Sequence, residues 1–304
     1  ISVQFIIIMS ENTDNSYDHI IPLPPSIYFG GASCAVPYHI GVVKAMKEIW
    51  SDDFHKDIIV CGDSIGSIVA LQICLGFTVE EIDAVFREIG KNMIDNDLFT
   101  VGHNYYLDTY VEKLLQQRPN AYKEIEGKFM CGRTKHFAQY EVSKEWVNNA
   151  DLAKTLKASY NIPLYCTMCE PVEGEQYVDG AFGMDAELLP HGDGTLFVGL
   201  NKSTADINAN ISNFDCLIPD IGEKYDRLFK LGYDAMYDWD GKLKDKIGVH
   251  IPNYAALVFC WFGKTVQQCI YTVKNIFVDE MFDCIDDADF DNISQSENES
   301  EKEK

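Results

Sequence analysis

Three short stretches of this sequence hold residue types that could act together in nucleophilic chemistry. Gly62-Asp63-Ser64-Ile65-Gly66 fits the pattern G-x-S-x-G and stands between an apolar strand pattern, Asp57 to Cys61 (DIIVC), and an apolar helical pattern, Ile65 to Leu75 (IGSIVALQICL). Glycine on both flanks lets the chain turn tightly enough to raise the serine side chain. The helix that follows aims its open N–H groups and the positive end of its dipole at any oxyanion formed there. A serine also needs a base to take its proton and donors to hold developing negative charge. The candidate base is Asp179 in Tyr177-Val178-Asp179-Gly180-Ala181, at the end of a short strand where Gly180 permits a close turn. The candidate oxyanion element is Gly30-Gly31-Ala32-Ser33-Cys34-Ala35-Val36, whose small residues let backbone N–H groups converge on a substrate oxygen. Taken singly, an Asp-Gly is an ordinary turn and a small-residue loop an ordinary packing contact. All three at the C-terminal ends of predicted strands is the arrangement in which α/β sheets place their sites.

The elements that must position these residues follow from hydrophobic period and turn chemistry. Pro22 to Pro25 (PLPP) closes a polar leader, and Ser26 to Phe29 (SIYF) is the first strand signal. A helix is predicted over His39 to Trp50, apolar at Ile40, Val43 and Ala45/Met46 with Lys44 and Lys47 opposite. Further helices are predicted at Ile65–Leu75, Val79–Ile89, Tyr106–Gln116, Asp151–Ser159 and Gly222–Tyr237. Strands are predicted at Asp57–Cys61, Lys128–Cys131, Phe137–Glu141, Leu164–Thr167, Glu175–Val178 and Thr195–Leu200. Short apolar runs alternating with helical patterns predict a three-layer α/β/α sandwich with a mainly parallel central sheet. With no internal repeat and no Gly/Ser linker, residues 26–285 read as one domain, preceded by a flexible leader over 1–25. The stretch 286–304 has acids, Ser and Asn and almost nothing to bury, so it reads as a disordered acidic tail.

In order and spacing these features resemble the patatin-like phospholipase family. The shared residues are the Gly-rich loop leading into YHIGVVKAM, the elbow GDSIG, Ala158 to Pro163 (ASYNIP) and YVDGA, with the match strongest over 26–200. The resemblance implies a lipid acyl hydrolase with a Ser-Asp dyad and no histidine. Ser64 would be the nucleophile, and Asp179, opening the motif Asp179-Gly180-Ala181, the base for it and later for water. The amides of Gly30, Gly31, Ala32, Ser33 and Ile65 would be the oxyanion donors. One departure stands out: where the family loop reads G-G-G-x-[RK]-G or a close relative, this chain has GGASCAV, with Ala32 and Ser33 in place of glycines. An oxyanion amide that cannot face inward costs on the order of 2.7–4 kcal/mol of transition-state stabilisation, so slowed or conditional turnover is one expectation.

The histidines offer an alternative. In Ser-His-Asp hydrolases of the α/β type the chain order is Ser, Asp, His, and both His191 (LLPHGDG) and His250 (GVHIP) follow Asp179. Neither has a motif around it. His39, on the helix behind the small-residue loop, reads as packing or hydrogen bonding before chemistry. A P-loop is not supported, since neither Gly loop is followed by Lys-Ser/Thr.

Composition sets the outer bounds. With 25 Lys+Arg against 48 Asp+Glu in 304 residues, the formal charge of −23 argues against sequence-independent nucleic-acid binding and against electrostatic docking on anionic lipid. Hydrophobic residues make up 46 %, ample for a large core. The 10 Cys are scattered, several in apolar runs (Cys61, Cys74, Cys260), and read as reduced thiols of an intracellular protein. Cys166 and Cys169 have C-x-x-C spacing, but without a second pair at zinc-finger distance a metal site is not expected. The apolar stretch Phe5 to Ile8 is too short for a signal peptide, Met9 is a candidate start, and no window reaches a membrane-spanning length. The expectation is therefore a cytoplasmic or membrane-peripheral hydrolase of carboxylic esters in lipids, without metal or cofactor. It would meet substrate at a membrane or droplet surface, with Leu98 to Tyr110 and Tyr254 to Phe262 as candidate interfacial segments. The rival readings are a His-dependent esterase and an inactive lipid-binding protein on the same fold.

Overall fold

The chain divides into two units, Ile1–Leu257 and Val258–Lys304. The computed structural model describes residues 21–96, 104–136, 139–163, 166, 171–172, 174–200 and 204–244, all in the first unit. The leader before residue 21, the segment Tyr254–Phe262, His250, Cys169, Cys260 and the acidic tail lie outside the described residues.

Strand β1 (Ser26–Phe29) leads through a 3₁₀ turn (Ser33–Ala35) into α1 (Val36–Ile49), and a further turn (Phe54–Lys56) precedes β2 (Ile59–Asp63). Then come α2 (Ile65–Cys74), α3 (Val79–Asp95), α4 (Tyr105–Gln117) and the short α5 (Ala121–Glu124). Next are β3 (Phe129–Lys135), β4 (Gln139–Ser143), α6 (Asn149–Ser159) and β5 (Tyr177–Val178). Three 3₁₀ turns follow, then β6 (Thr195–Leu200), β7 (Ile207–Ala209), α7 (Asn213–Leu217) and α8 (Glu223–Tyr237). The sheet order is β4-β3-β2-β1-β6-β7. All neighbours are parallel except β4 and β5, which pair antiparallel with β3. This is a mixed, mainly parallel sheet flanked by helices, the α/β class that the sequence predicts.

Alternation along the strands assigns the two faces. Ile27, Phe29, Val60, Phe129, Leu196 and Val198 turn into one large core shared with α1, α2, α3, α4, α6 and α8. Tyr28, Cys61, Tyr140 and Phe197 turn to the other face, where Met184 and Leu189 from the 3₁₀-turn segment cover them. Local chemistry sets the helix starts. Thr78 and Glu81 form a reciprocal capping box at α3 (2.8 and 3.2 Å). The Asn148 side chain caps α6 by accepting the Asp151 N–H at 2.9 Å, which starts that helix two residues before the predicted Asp151. Helix α3 runs to Asp95, beyond the predicted Ile89, because Met93 still packs inward. Strand β7 and helices α5 and α7 are additions to the predicted set.

The site depends most on how β3 is shared. β4 occupies one edge of β3 along Cys131–Lys135, while β2 takes the other edge only as far as Gly132, which pairs with Asp63. On that second edge β5 comes in from the opposite direction, pairing Lys135 with Tyr177 and Thr134 with Val178. The two strands therefore abut end to end on one edge of β3. The residues that follow their ends are Ser64 and Asp179.

Candidate active site

Ser64 occupies the turn between β2 and α2 with φ 51° and ψ −137°, a left-handed conformation that a non-glycine residue adopts only under constraint. The constraints are visible around it. Its amide donates to the Ser159 carbonyl (3.2 Å) and to Ser159 Oγ (3.0 Å), and its carbonyl accepts from Ser67 Oγ at 2.7 Å. A side chain at Gly66 would run into the carbonyl oxygens of Phe29 and Gly30, so only glycine lets α2 pass this close to the end of β1.

The Ser64 hydroxyl donates to Asp179 Oδ2, and both residues are buried. The other carboxylate oxygen of Asp179 accepts the Ala181 N–H at 2.8 Å, and the Asp179 amide donates to the Asn161 carbonyl at 2.9 Å. Asn161 in turn donates through Nδ2 to the Tyr177 carbonyl at 3.0 Å, and Thr134 Oγ1 donates to the Gly180 carbonyl at 3.2 Å. The carboxylate is thus fixed in rotation by its own turn and in position by the segment that follows α6 and by β3.

The small-residue loop lies against this pair. A Cβ on Gly31 would stand 3.3 Å from Ser64 Cβ and 2.9 Å from Ala181 Cβ, so the loop backbone touches both partners. Ser33 has φ 47°, the left-handed conformation that a glycine at this position would favour. Gly30 departs from the expected donor set. Its N–H donates to the Val198 carbonyl at 2.9 Å, extending the pairing of β1 with β6, and is not available to a substrate oxygen. That leaves Gly31, Ala32, Ser33 and, at the first turn of α2, Ile65.

A cleft opens beside Ser64, with Phe86, Ile89 and Met93 of α3 and Leu107 of α4 supplying apolar wall. Cys34 and Cys166 also border it. Burial pushes the Cys34 thiol up to about 12, so it is protonated at neutral pH. Among the described residues no group of three or more His, Cys, Asp or Glu is placed to hold a metal ion.

Residues that the motifs did not single out complete the surroundings. Asp63, read only as part of the elbow, lies wholly buried, and the Tyr28 hydroxyl donates to it. Burial and the charge of Asp63 hold the Tyr28 and Tyr140 phenols well above the usual range. Ser159, which orients the elbow, and Asn161, which orients Asp179, both fall in the ASYNIP segment. His191 bonds through Nδ1 to Ser26 Oγ at 2.9 Å, at the start of β1, whereas Ser64 lies beyond the far end of the strands. The structure does not bring it to Asp179. His39 lies under the loop, with Nε2 2.7 Å from the Gly30 carbonyl.

A family model described as patatin-like phospholipase matches residues 27–189, more than half of the chain. The chain belongs to the patatin-like phospholipase family. No curated protein matches it. Among solved structures this patatin-like chain is similar to VipD from Legionella pneumophila, at 11 % identity and TM-score 0.42 over 86 % of this chain and 77 % of that one. It is also similar to the type III effector protein ExoU, at 11 % identity and TM-score 0.39 over 73 % of this chain and 54 % of that one. The ExoU–SpcU complex of the Pseudomonas aeruginosa type III secretion system is similar at 13 % identity and TM-score 0.37, over 80 % and 58 %. The patatin-like chain therefore spans little more than half the length of the ExoU chains. No helix among its described residues is long and apolar enough to cross a membrane.

Proposed function

We propose that this protein is a lipid acyl hydrolase of the phospholipase A type or a related lipase, using Ser64 as nucleophile and Asp179 as base. The observation that carries the reading is the hydrogen bond from the Ser64 hydroxyl to Asp179 beside an apolar cleft. As Ser64 Oγ attacks the ester carbonyl carbon, its proton passes to Asp179. The carbonyl π electrons move to oxygen, and the N–H groups of Gly31 and Ile65 hold that oxyanion. Collapse re-forms the carbonyl and breaks the bond to the alcohol, which leaves with the proton from Asp179. Water then attacks acyl-Ser64, again giving its proton to Asp179, and the fatty acid departs as Ser64 recovers its hydrogen. The steps balance without metal, cofactor or histidine. Substrate comes from a membrane or droplet surface, and the protein works as a peripheral, intracellular enzyme.

The altered loop is the argument for an inactive lipid-binding protein. The left-handed φ of Ser33 speaks for activity, because the backbone keeps the shape a glycine would give it. The test is labelling by a fluorophosphonate together with release of fatty acid from phospholipid vesicles. Wild type should react in both, Ser64→Ala in neither, and Asp179→Asn should lose on the order of 10³-fold or more of turnover. Equal labelling of Ser64→Ala, or no reaction of wild type, sinks the proposal.

A further inference from the structure

His39 is an expensive group to leave where it is. It is fully buried, between the Phe29 ring (5.5 Å between centroids) and the Tyr38 ring (5.8 Å), and its Nδ1 has no hydrogen-bond partner. A phenylalanine would fill the space with no stranded ring nitrogen, but it would take the donor away from the Gly30 carbonyl. What the imidazole adds is one bond. A carbonyl oxygen can only accept, so at 2.7 Å from the Gly30 oxygen Nε2 is the N–H donor and Nδ1 keeps the lone pair. Burial lowers the ring to about 4, which keeps this neutral form at physiological pH.

That bond closes a clamp. The Gly30 N–H is tied to Val198 of β6 and the Gly30 carbonyl to His39 of α1, so both sides of the residue are fixed. In a planar trans peptide the carbonyl of one residue and the N–H of the next point in opposite directions. Fixing the Gly30 carbonyl toward α1 therefore turns the Gly31 N–H away from α1. Gly31 is the loop residue packed against Ser64 and Ala181. Without the clamp, a glycine-glycine peptide has little to stop it from flipping.

We propose that His39 is a positioning residue: by holding the Gly30 carbonyl it orients the Gly30–Gly31 peptide so that the Gly31 N–H serves the oxyanion above Ser64. The proposal rests on the hydrolase reading. It predicts that the donor at Nε2 matters and the imidazole ring does not.

The experiment compares His39→Gln with His39→Met, side chains of nearly the same length that differ in the terminal N–H. His39→Met should lose 10²–10³-fold in kcat, the range for removing one oxyanion donor, with KM within a few-fold. Its affinity for a trifluoromethyl ketone, which carries the oxyanion, should fall in parallel. His39→Gln should recover at least tenfold of the loss, with the pH profile of wild type. If the Met variant does not fold, His39→Asn, whose donor is too short to reach Gly30, takes its place with the same expected loss. Active wild type with Met, or Asn, equal to Gln overturns the role of His39 alone. Wild type that neither turns over nor labels overturns the hydrolase reading and this inference together.

Discussion

Ser33 sits where the family loop has a glycine, and the structure keeps the glycine-like backbone with φ 47°. A left-handed L-residue costs about 1–2 kcal/mol, and glycine returns about 0.4–1 kcal/mol of that through the greater freedom of its unfolded chain. Ser33→Gly should therefore stabilise the protein by roughly 0.5–1 kcal/mol in urea unfolding and leave kcat equal or higher. Lower stability would mean that the hydroxyl compensates for the strain. His39 gives a pH dependence of known sign. Burial depresses it from its ordinary value of 6.5 to about 4 in the fold. The unfolded chain therefore takes up a proton that the folded chain refuses. The contribution is complete above about pH 6.5 and lost between there and pH 4, up to about 3 kcal/mol. Unfolding midpoints of wild type and His39→Gln should diverge at pH 7 against pH 4.5, with wild type the more acid-sensitive. The residues at Ser64 and Asp179 were legible because tight turns need glycine at fixed offsets. The roles of Ser159, Asn161 and Asp63 were not, because they depend on which strand edges meet.

At the scale of elements, the meeting of β2 and β5 on one edge of β3 brings together residues 115 positions apart, as the Ser64–Asp179 bond measures. The sequence showed a short strand before Asp179 but not its antiparallel direction. A two-residue strand has no period to read, and the overhang of β3 that receives it (Arg133, Thr134, Lys135) is polar. Helix α1 was legible from His39 onward. Its true start at Val36 is hidden by the loop that runs into it. How α1 is held is a packing matter that glycines reveal only with coordinates. A Cβ at Gly232 of α8 would overlap the Tyr38 carbonyl of α1, and one at Gly41 would overlap the Phe229 carbonyl of α8. Gly232→Ala must push the helices apart. The expected cost is about 1–3 kcal/mol, seen as a lower Tm, and α1 carries His39, so kcat should fall with it. An unchanged Tm would show that the crossing is looser than described.

At the scale of the molecule, charge and exposed apolar surface decide, on the proposed hydrolase reading, which lipid surface would deliver the substrate. The formal charge of −23 was plain from composition and opposes anionic membranes, so contact has to be apolar or locally charged, and an apolar contact favours a neutral or zwitterionic surface. Of the two segments predicted for that contact, Tyr254–Phe262 lies outside the described residues and Leu98–Tyr110 lies partly outside them. The described part includes Tyr105, 61 % exposed and next to Asn104 at the cleft wall. Leu217 and Ile218, 41 % and 39 % exposed, directly precede Pro219 and Asp220, which also line the cleft. These two were not legible, since an apolar pair at a short helix end reads as core. Burying the open parts of two such side chains in lipid is worth roughly 2 kcal/mol together, about thirtyfold in partitioning. Leu217→Asp with Ile218→Asp should therefore cut hydrolysis of phosphatidylcholine vesicles by at least tenfold while a short-chain soluble ester is turned over at the wild-type rate. Equal loss on both substrates would assign the pair to the fold or to the cleft, and no loss on vesicles would move the lipid contact elsewhere on the surface.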